Sequence, residues 1–145
     1  MSRTTAPPRR DYRWFTAITT RWSDNDVYGH VNNVIYYSYF DSVANRYLID
    51  AGGLDIHGGE TVGLVVNSGC DYHAPVAYPD ALEGALRVDR LGNSSVQYGI
   101  GIFREGDDKA CANGTFTHVF VDRGSHRPVP IPPRLREALV AITVS

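Results

Sequence analysis

The order of apolar and polar positions divides the chain into one long helical stretch and several extended ones. Over residues 34–51, Ser38, Asp41, Ser42, Asn45, Arg46 and Asp50 recur every three to four positions, between tyrosines and aliphatics. That spacing predicts a helix with a single polar stripe. A helix apolar over most of its circumference is a buried one. At ~1.5 Å per residue it would be about 27 Å long, enough to form the spine of a small domain. Asn32 or Asn33 suits its N-cap, and Gly52-Gly53 suits its end. Before it, residues 14–22 are β-rich. After it, residues 62–73 form an apolar run halted by Pro75 and Pro79. Residues 80–91 and 95–104 alternate in the two-residue rhythm of half-buried strands, joined by a hairpin turn at Gly92-Asn93-Ser94. Residues 110–122 read as a last long strand, with Phe116, His118 and Phe120 on one face, and residues 134–142 as a short helix.

One helix after the first strand, followed by four meandering antiparallel strands, is an α+β arrangement. A curved five-stranded antiparallel sheet would wrap the helix. Such a sheet leaves an open edge and one end of the helix uncovered, which invites a second copy. A homodimer or homotetramer is therefore expected. Residues 1–11 read as a disordered leader, and residues 12–145 as one domain without repeats or linker.

Composition narrows the class. The 145 residues are 43% hydrophobic and 21% charged, with a net charge of −2. These are ordinary values for a folded protein, and they argue against a nucleic-acid or anionic-membrane binder. No run reaches the ~18 apolar residues of a membrane span, and the first eleven residues lack the apolar segment of a secretory signal. Cys70 and Cys111 sit in strand-like runs and read as reduced, buried thiols. No histidine, cysteine and carboxylate cluster has metal-ligand spacing, and no cofactor is called for. The expected compartment is the cytoplasm.

The candidate chemistry lies where the helix begins. Ser23-Asp24-Asn25-Asp26 leads into Tyr28-Gly29-His30-Val31-Asn32-Asn33. A helix N-terminus presents unpaired N–H groups and the positive end of its dipole. It can polarise a carbonyl or hold an oxyanion, while Asp26 or His30 supplies a nucleophile or base. An Asx turn ahead of a capped helix is the plainer use of the same residues.

The run from Asp24 to Tyr36, with its D-x-D-x-x-G-H-V-N-N core and a following Tyr-Phe-Asp segment, resembles the signature of hotdog-fold acyl-CoA thioesterases. The 4-hydroxybenzoyl-CoA thioesterase-like branch is the nearest in pattern. The resemblance extends through Asp71-Tyr72-His73-Ala74-Pro75-Val76, the hairpin from Arg90 to Ser95, and His118-Val119-Phe120-Val121-Asp122. It implies that Asp26 is the catalytic carboxylate, as nucleophile or as base for water. It also implies that the backbone N–H near Asn33 binds the thioester oxygen. Some relatives carry a histidine at the Asn33 position; here the histidine is His30, which would orient the loop, contact substrate or bond across a dimer. Tyr28, Gly29, Asp41 and Arg90 are the further candidates for substrate contact, and Asp24 reads as structural. Relatives with several basic hairpin residues grip the phosphates of coenzyme A; Arg90 alone is basic at that turn. The expected reaction is hydrolysis of an acyl-CoA to a free acid and CoA. The alternatives are a thioesterase acting on an acyl carrier protein, a hotdog-fold hydratase or dehydratase, and a non-catalytic acyl-binding module.

Overall fold

The computed structural model describes residues 5–144. Five strands, β1 (Trp14–Thr19), β2 (Thr61–Tyr72), β3 (Ala81–Leu91), β4 (Ser95–Arg104) and β5 (Ala112–Asp122), form one antiparallel sheet in the order β1-β3-β4-β5-β2. Helix α1 (Ile35–Asp50) packs on it, and α2 (Pro133–Ala141) closes beside α1, where the Tyr47 hydroxyl donates to the Ala138 carbonyl. The architecture is the α+β arrangement that the alternation implies.

The N-cap of α1 is Val34, without a side-chain cap hydrogen bond, rather than Asn32 or Asn33. Two larger expectations change. Strands β3, β4 and β5 form a meander, but β2 lies outside it, beyond β5. The connection over residues 73–80 must cross three strand spacings of about 4.8 Å. Eight residues span that easily at ~3.3 Å each. The second change concerns α1. Tyr36, Tyr39, Phe40, Val43, Ala44, Tyr47 and Leu48 are buried, while Val34 and Ile49 are exposed and Ile35 and Tyr37 half-buried. Only one face of the helix is covered within this chain. The covered face lies very close to the sheet. A Cβ on Gly84 of β3 would sit 2.2 Å from the Val43 Cγ2, so glycine at that point admits the helix.

The leader splits into two parts. Residues 1–4 lie outside the described residues. From Pro8 onward the chain bridges to Lys109, turns through Arg9–Asp11, and sets Arg9 against Glu83 at 2.8 Å and over the Phe103 ring. Tyr12 is buried against Phe103.

The core contains few polar groups. Among the described residues Thr20, Asp24 and His118 are the buried ones. His118 on β5 bonds Tyr98 through Nδ1 at 3.0 Å, and its Nε2 has no partner among the described residues. Burial pushes its pKa down to about 4, so the ring is neutral in the fold.

At the far edge of the sheet, β2 exposes Leu64, Val65 and Val66 in succession and has a register shift between Val65 and Asn67. One side of this strand carries no pairing among the described residues.

Candidate active site

After β1 the chain makes a 3₁₀ turn, Trp22–Asp24, that carries Asp24 inward. One Asp24 oxygen, Oδ2, accepts the Arg21 N–H at 2.9 Å and the Tyr39 hydroxyl at 2.7 Å. The other, Oδ1, takes Arg21 Nε at 3.0 Å and Nη2 at 2.9 Å. Burial works to raise the pKa of this carboxyl. The Tyr39 and Arg21 hydrogen bonds and the guanidinium charge outweigh it, and the net displacement is downward. Asp24 is an ionised anchor with both oxygens occupied.

Two residues on, Asp26 is differently placed. Its N–H donates to the His30 carbonyl at 2.8 Å, and its carbonyl accepts the Gly29 N–H at 3.1 Å. Gly29 completes this tight loop at φ +81°, a conformation that side chains disfavour. The carboxylate takes one hydrogen bond, from the Tyr28 N–H to Oδ1 at 2.9 Å. Oδ2 has no partner among the described residues.

The helix start supplies a donor beside it. Asn32 makes the turn: its Oδ1 accepts the Val34 N–H at 3.1 Å and its carbonyl accepts the Ile35 N–H at 2.9 Å. The Asn33 N–H falls between these and makes no hydrogen bond among the described residues, while the Asn33 carbonyl is held by the Tyr72 hydroxyl at 3.1 Å. The two peptides that meet at Asn33 are thus differently engaged: the one after it is held through its oxygen, and the one before it leaves its N–H unspent.

These groups border one cavity of about 390 Å³, lined by Asp26, Tyr28, His30 and Asn33 together with Tyr36, Tyr72, His73 and Pro75. Burial pushes the Tyr36 and Tyr72 phenols up, so both stay neutral. The crossing connection of residues 73–80 closes the back. Val76 is buried and its carbonyl accepts the Val31 N–H at 2.8 Å, while the Tyr78 N–H donates to Asn25 Oδ1 at 3.0 Å. The arrangement offers a free carboxylate oxygen, a free backbone donor and an aromatic wall, which suits attack on a polarised acyl carbonyl.

The other sequence candidates lie elsewhere. Gly29 shapes the loop without lining the cavity. Asp41 is on the exposed face of α1, bonded to Asn45 at 3.0 Å. Arg90 is exposed near the end of β3, beside the register shift there. Cys70 and Cys111 are free, and burial raises each thiol pKa to about 11. The sequence reading gave no site role to Tyr36, Tyr72 or His73. The signal for the last two is the Tyr72-His73-Ala74-Pro75 segment, whose place is set by the crossing connection. Among the described residues no group of histidine, cysteine and carboxylate side chains could hold a metal ion, and no helix is long and apolar enough to cross a membrane.

Comparison with known proteins agrees with this architecture. Residues 20–139 match the model of the thioesterase-like superfamily. The solved structure of the PA5185 protein from Pseudomonas aeruginosa strain PAO1 is 61% identical, superposes with a TM-score of 0.95, and covers 97% of this chain and 98% of its own. YsmA of Bacillus subtilis strain 168 is 26% identical over 133 residues, spanning 91% of this chain and 88% of its own length. The 1,4-dihydroxy-2-naphthoyl-CoA thioesterase Slr0204 from Synechocystis shares the fold, with a TM-score of 0.78 at 16% identity over 87% of this chain and 94% of its own. The chain belongs to the thioesterase-like superfamily.

Proposed function

We propose that this member of the thioesterase-like superfamily hydrolyses an acyl-CoA to a free carboxylic acid and CoA. The observation that carries the reading is the pairing, in one cavity, of Asp26 Oδ2 with the unspent Asn33 N–H. The thioester oxygen accepts from that N–H, at the positive end of α1. Asp26 either takes a proton from an attacking water or attacks the carbonyl carbon itself. The C–S bond then breaks and the thiol leaves with a proton; in the first route water has supplied the second oxygen of the acid, and in the second water cleaves the Asp26–acyl anhydride to release the acid and restore the carboxylate. His30, which lines the same cavity, contacts substrate or orients the loop.

The active unit in this proposal is a homodimer or homotetramer in the cytoplasm, paired along β2. Its support is the exposed Leu64, Val65 and Val66 on an edge strand and the cavity wall that Tyr72 of that strand provides. Arg90, the one basic hairpin residue, stands apart from the cavity. This favours a loosely held nucleotide and leaves a carrier-protein thioester as the second reading.

The test is thiol release from acetyl-, hexanoyl-, benzoyl- and palmitoyl-CoA and from acyl carrier protein loaded with the same groups. Turnover of at least one CoA thioester, lost in Asp26→Asn, is the expected outcome. Absence of turnover across both sets would overturn the reading. Single turnover in ¹⁸O-water bears on the two roles of Asp26: label in the Asp26 carboxylate marks an anhydride opened at the aspartyl carbon, whereas label in the acid alone fits a water activated by Asp26 or an anhydride opened at the acyl carbon.

A further inference from the structure

We infer that His73 is a positioning residue that accepts a hydrogen bond from an amide N–H in the flexible arm of the thiol carrier. The inference rests on the thioesterase reading and assigns a residue that the reaction itself does not require.

His73 lies just beyond β2, at the start of the crossing connection, where its N–H donates to the Cys111 carbonyl at 2.8 Å. The half-buried ring lines two cavities. One is the Asp26 cavity. The other, of about 360 Å³, runs toward Arg104, Asp107 and Lys109 at the β4–β5 turn. His73 and Ala74 are the residues shared by both. A substrate whose acyl end reaches Asp26 from this second cleft passes these two residues.

The ring's protons are set by its neighbour. Nε2 lies 2.6 Å from Asn113 Oδ1 on β5. A carboxamide oxygen only accepts, so Nε2 carries the hydrogen. In the neutral ring Nδ1 is then left as an acceptor, and it has no partner among the described residues. One orienting bond and one open acceptor make a group preset for a donor. The pantetheine arm shared by CoA and carrier proteins supplies such donors in its two amides, whereas the thioester and an unsubstituted acyl chain have none. The second cleft carries two cations and two carboxylates, Asp107 and Asp108 opposite Arg104 and Lys109. That balance favours a polar, uncharged arm over a polyphosphate as its occupant.

The test uses the full chain and the acyl group that the parent hydrolyses fastest, presented on CoA, on pantetheine and on 2-mercaptoethanol, which has no amide. For His73→Leu, kcat/KM on the pantetheine thioester relative to the mercaptoethanol thioester should fall about tenfold, the worth of one hydrogen bond between neutral groups. The loss should lie mainly in KM. His73→Gln keeps an acceptor and should restore much of that ratio, and Asn113→Ala should lower it in part. An equal loss on CoA and pantetheine assigns the contact to the arm. An unchanged ratio, or an equal loss on all three carriers, would overturn the inference. If the parent hydrolyses none of them, the thioesterase reading fails by itself. Histidine ¹⁵N spectra, with His73 assigned from the Gln variant, then decide the point: a shift at Nδ1 on adding pantetheine supports the contact, and no shift overturns it.

Discussion

Asp24 and Asp26 stand two residues apart on one loop, yet the fold treats them as opposites. Asp24 is at the buried foot, where Arg21 and Tyr39 fill both of its oxygens. Asp26 is near the half-open crest, with one oxygen bonded to the Tyr28 N–H and the other turned to no partner. A carboxylate whose lone pairs are all engaged is stabilised as an anion and is a poor base. One with a free oxygen beside an unspent backbone donor is available for chemistry. The loop thus holds two acids in different states: the first has both oxygens engaged, and the second leaves one open among the described residues.

The sharpest way to break this comparison is Asp26→Asn. It preserves size and the Tyr28 hydrogen bond while removing the charge. We expect kcat to fall by roughly 10²–10⁴, with the melting temperature little changed. A variant of unchanged rate and lowered melting temperature would make Asp26 the structural acid of the pair.

His118 sharpens the contrast between satisfied and unsatisfied buried polar groups. Its pKa in the fold is about 4, below the ordinary value near 6.5. The unfolded chain therefore binds a proton before the folded one does. The stability that depends on a neutral ring is complete above about pH 6.5 and is lost as pH falls toward 4. The total is on the order of 3 kcal/mol. Urea titrations between pH 7 and 4 should show this slope, and His118→Leu should flatten it. A slope that persists in the variant would move the effect to other groups.

Asp24→Asn comes next in size. We expect a loss of about 2 kcal/mol, as charge-assisted bonds to Arg21 and Tyr39 are weakened, with kcat of the folded fraction within a few-fold of the parent. Because the folded carboxyl titrates below its unfolded value, its contribution is present above about pH 4 and disappears below it. In acid it follows the loss at His118. Tyr39→Phe should cost about 1 kcal/mol. A kcat loss in Asp24→Asn as large as that in Asp26→Asn would erase the distinction.

The smallest effect is expected at the thiols. With both pKa values raised to about 11, neither cysteine is a thiolate at neutral pH. The double variant Cys70→Ser, Cys111→Ser should keep turnover within a few-fold if it folds, although the Cys111 Sγ contact to the Ile102 carbonyl makes some loss of stability expected. Abolished turnover in a folded double variant would bring a thiol into the chemistry.

The parts of this structure legible in the sequence are those set by neighbours in the chain. The β3–β4 hairpin follows from alternation around Gly92-Asn93-Ser94, and the strand bounds fall within a few residues of those expected. The first strand ends early because Trp22 is drawn into the turn that buries Asp24. The different hydrogen bonding of Asp24 and Asp26 was not readable from composition, since both are loop acids there. What could not be read is the pairing of distant segments. Placing β2 beside β5 depends on which strand wins an edge, and no local pattern encodes that. The same holds for His73 and Asn113, which meet across 40 residues of chain only because β2 lies against β5.

One bond described above links assembly to chemistry. Tyr72 belongs to the open edge strand, and its hydroxyl holds the carbonyl of Asn33, the cavity-lining residue whose N–H is unspent among the described residues. Anything that orders β2 also orders that residue. If a second copy pairs along the strand, association and the alignment of the backbone donor become thermodynamically linked equilibria. Specific activity then falls on dilution, following the dissociation constant of the assembly, and substrate analogues that engage the Asn33 N–H tighten the subunits in return.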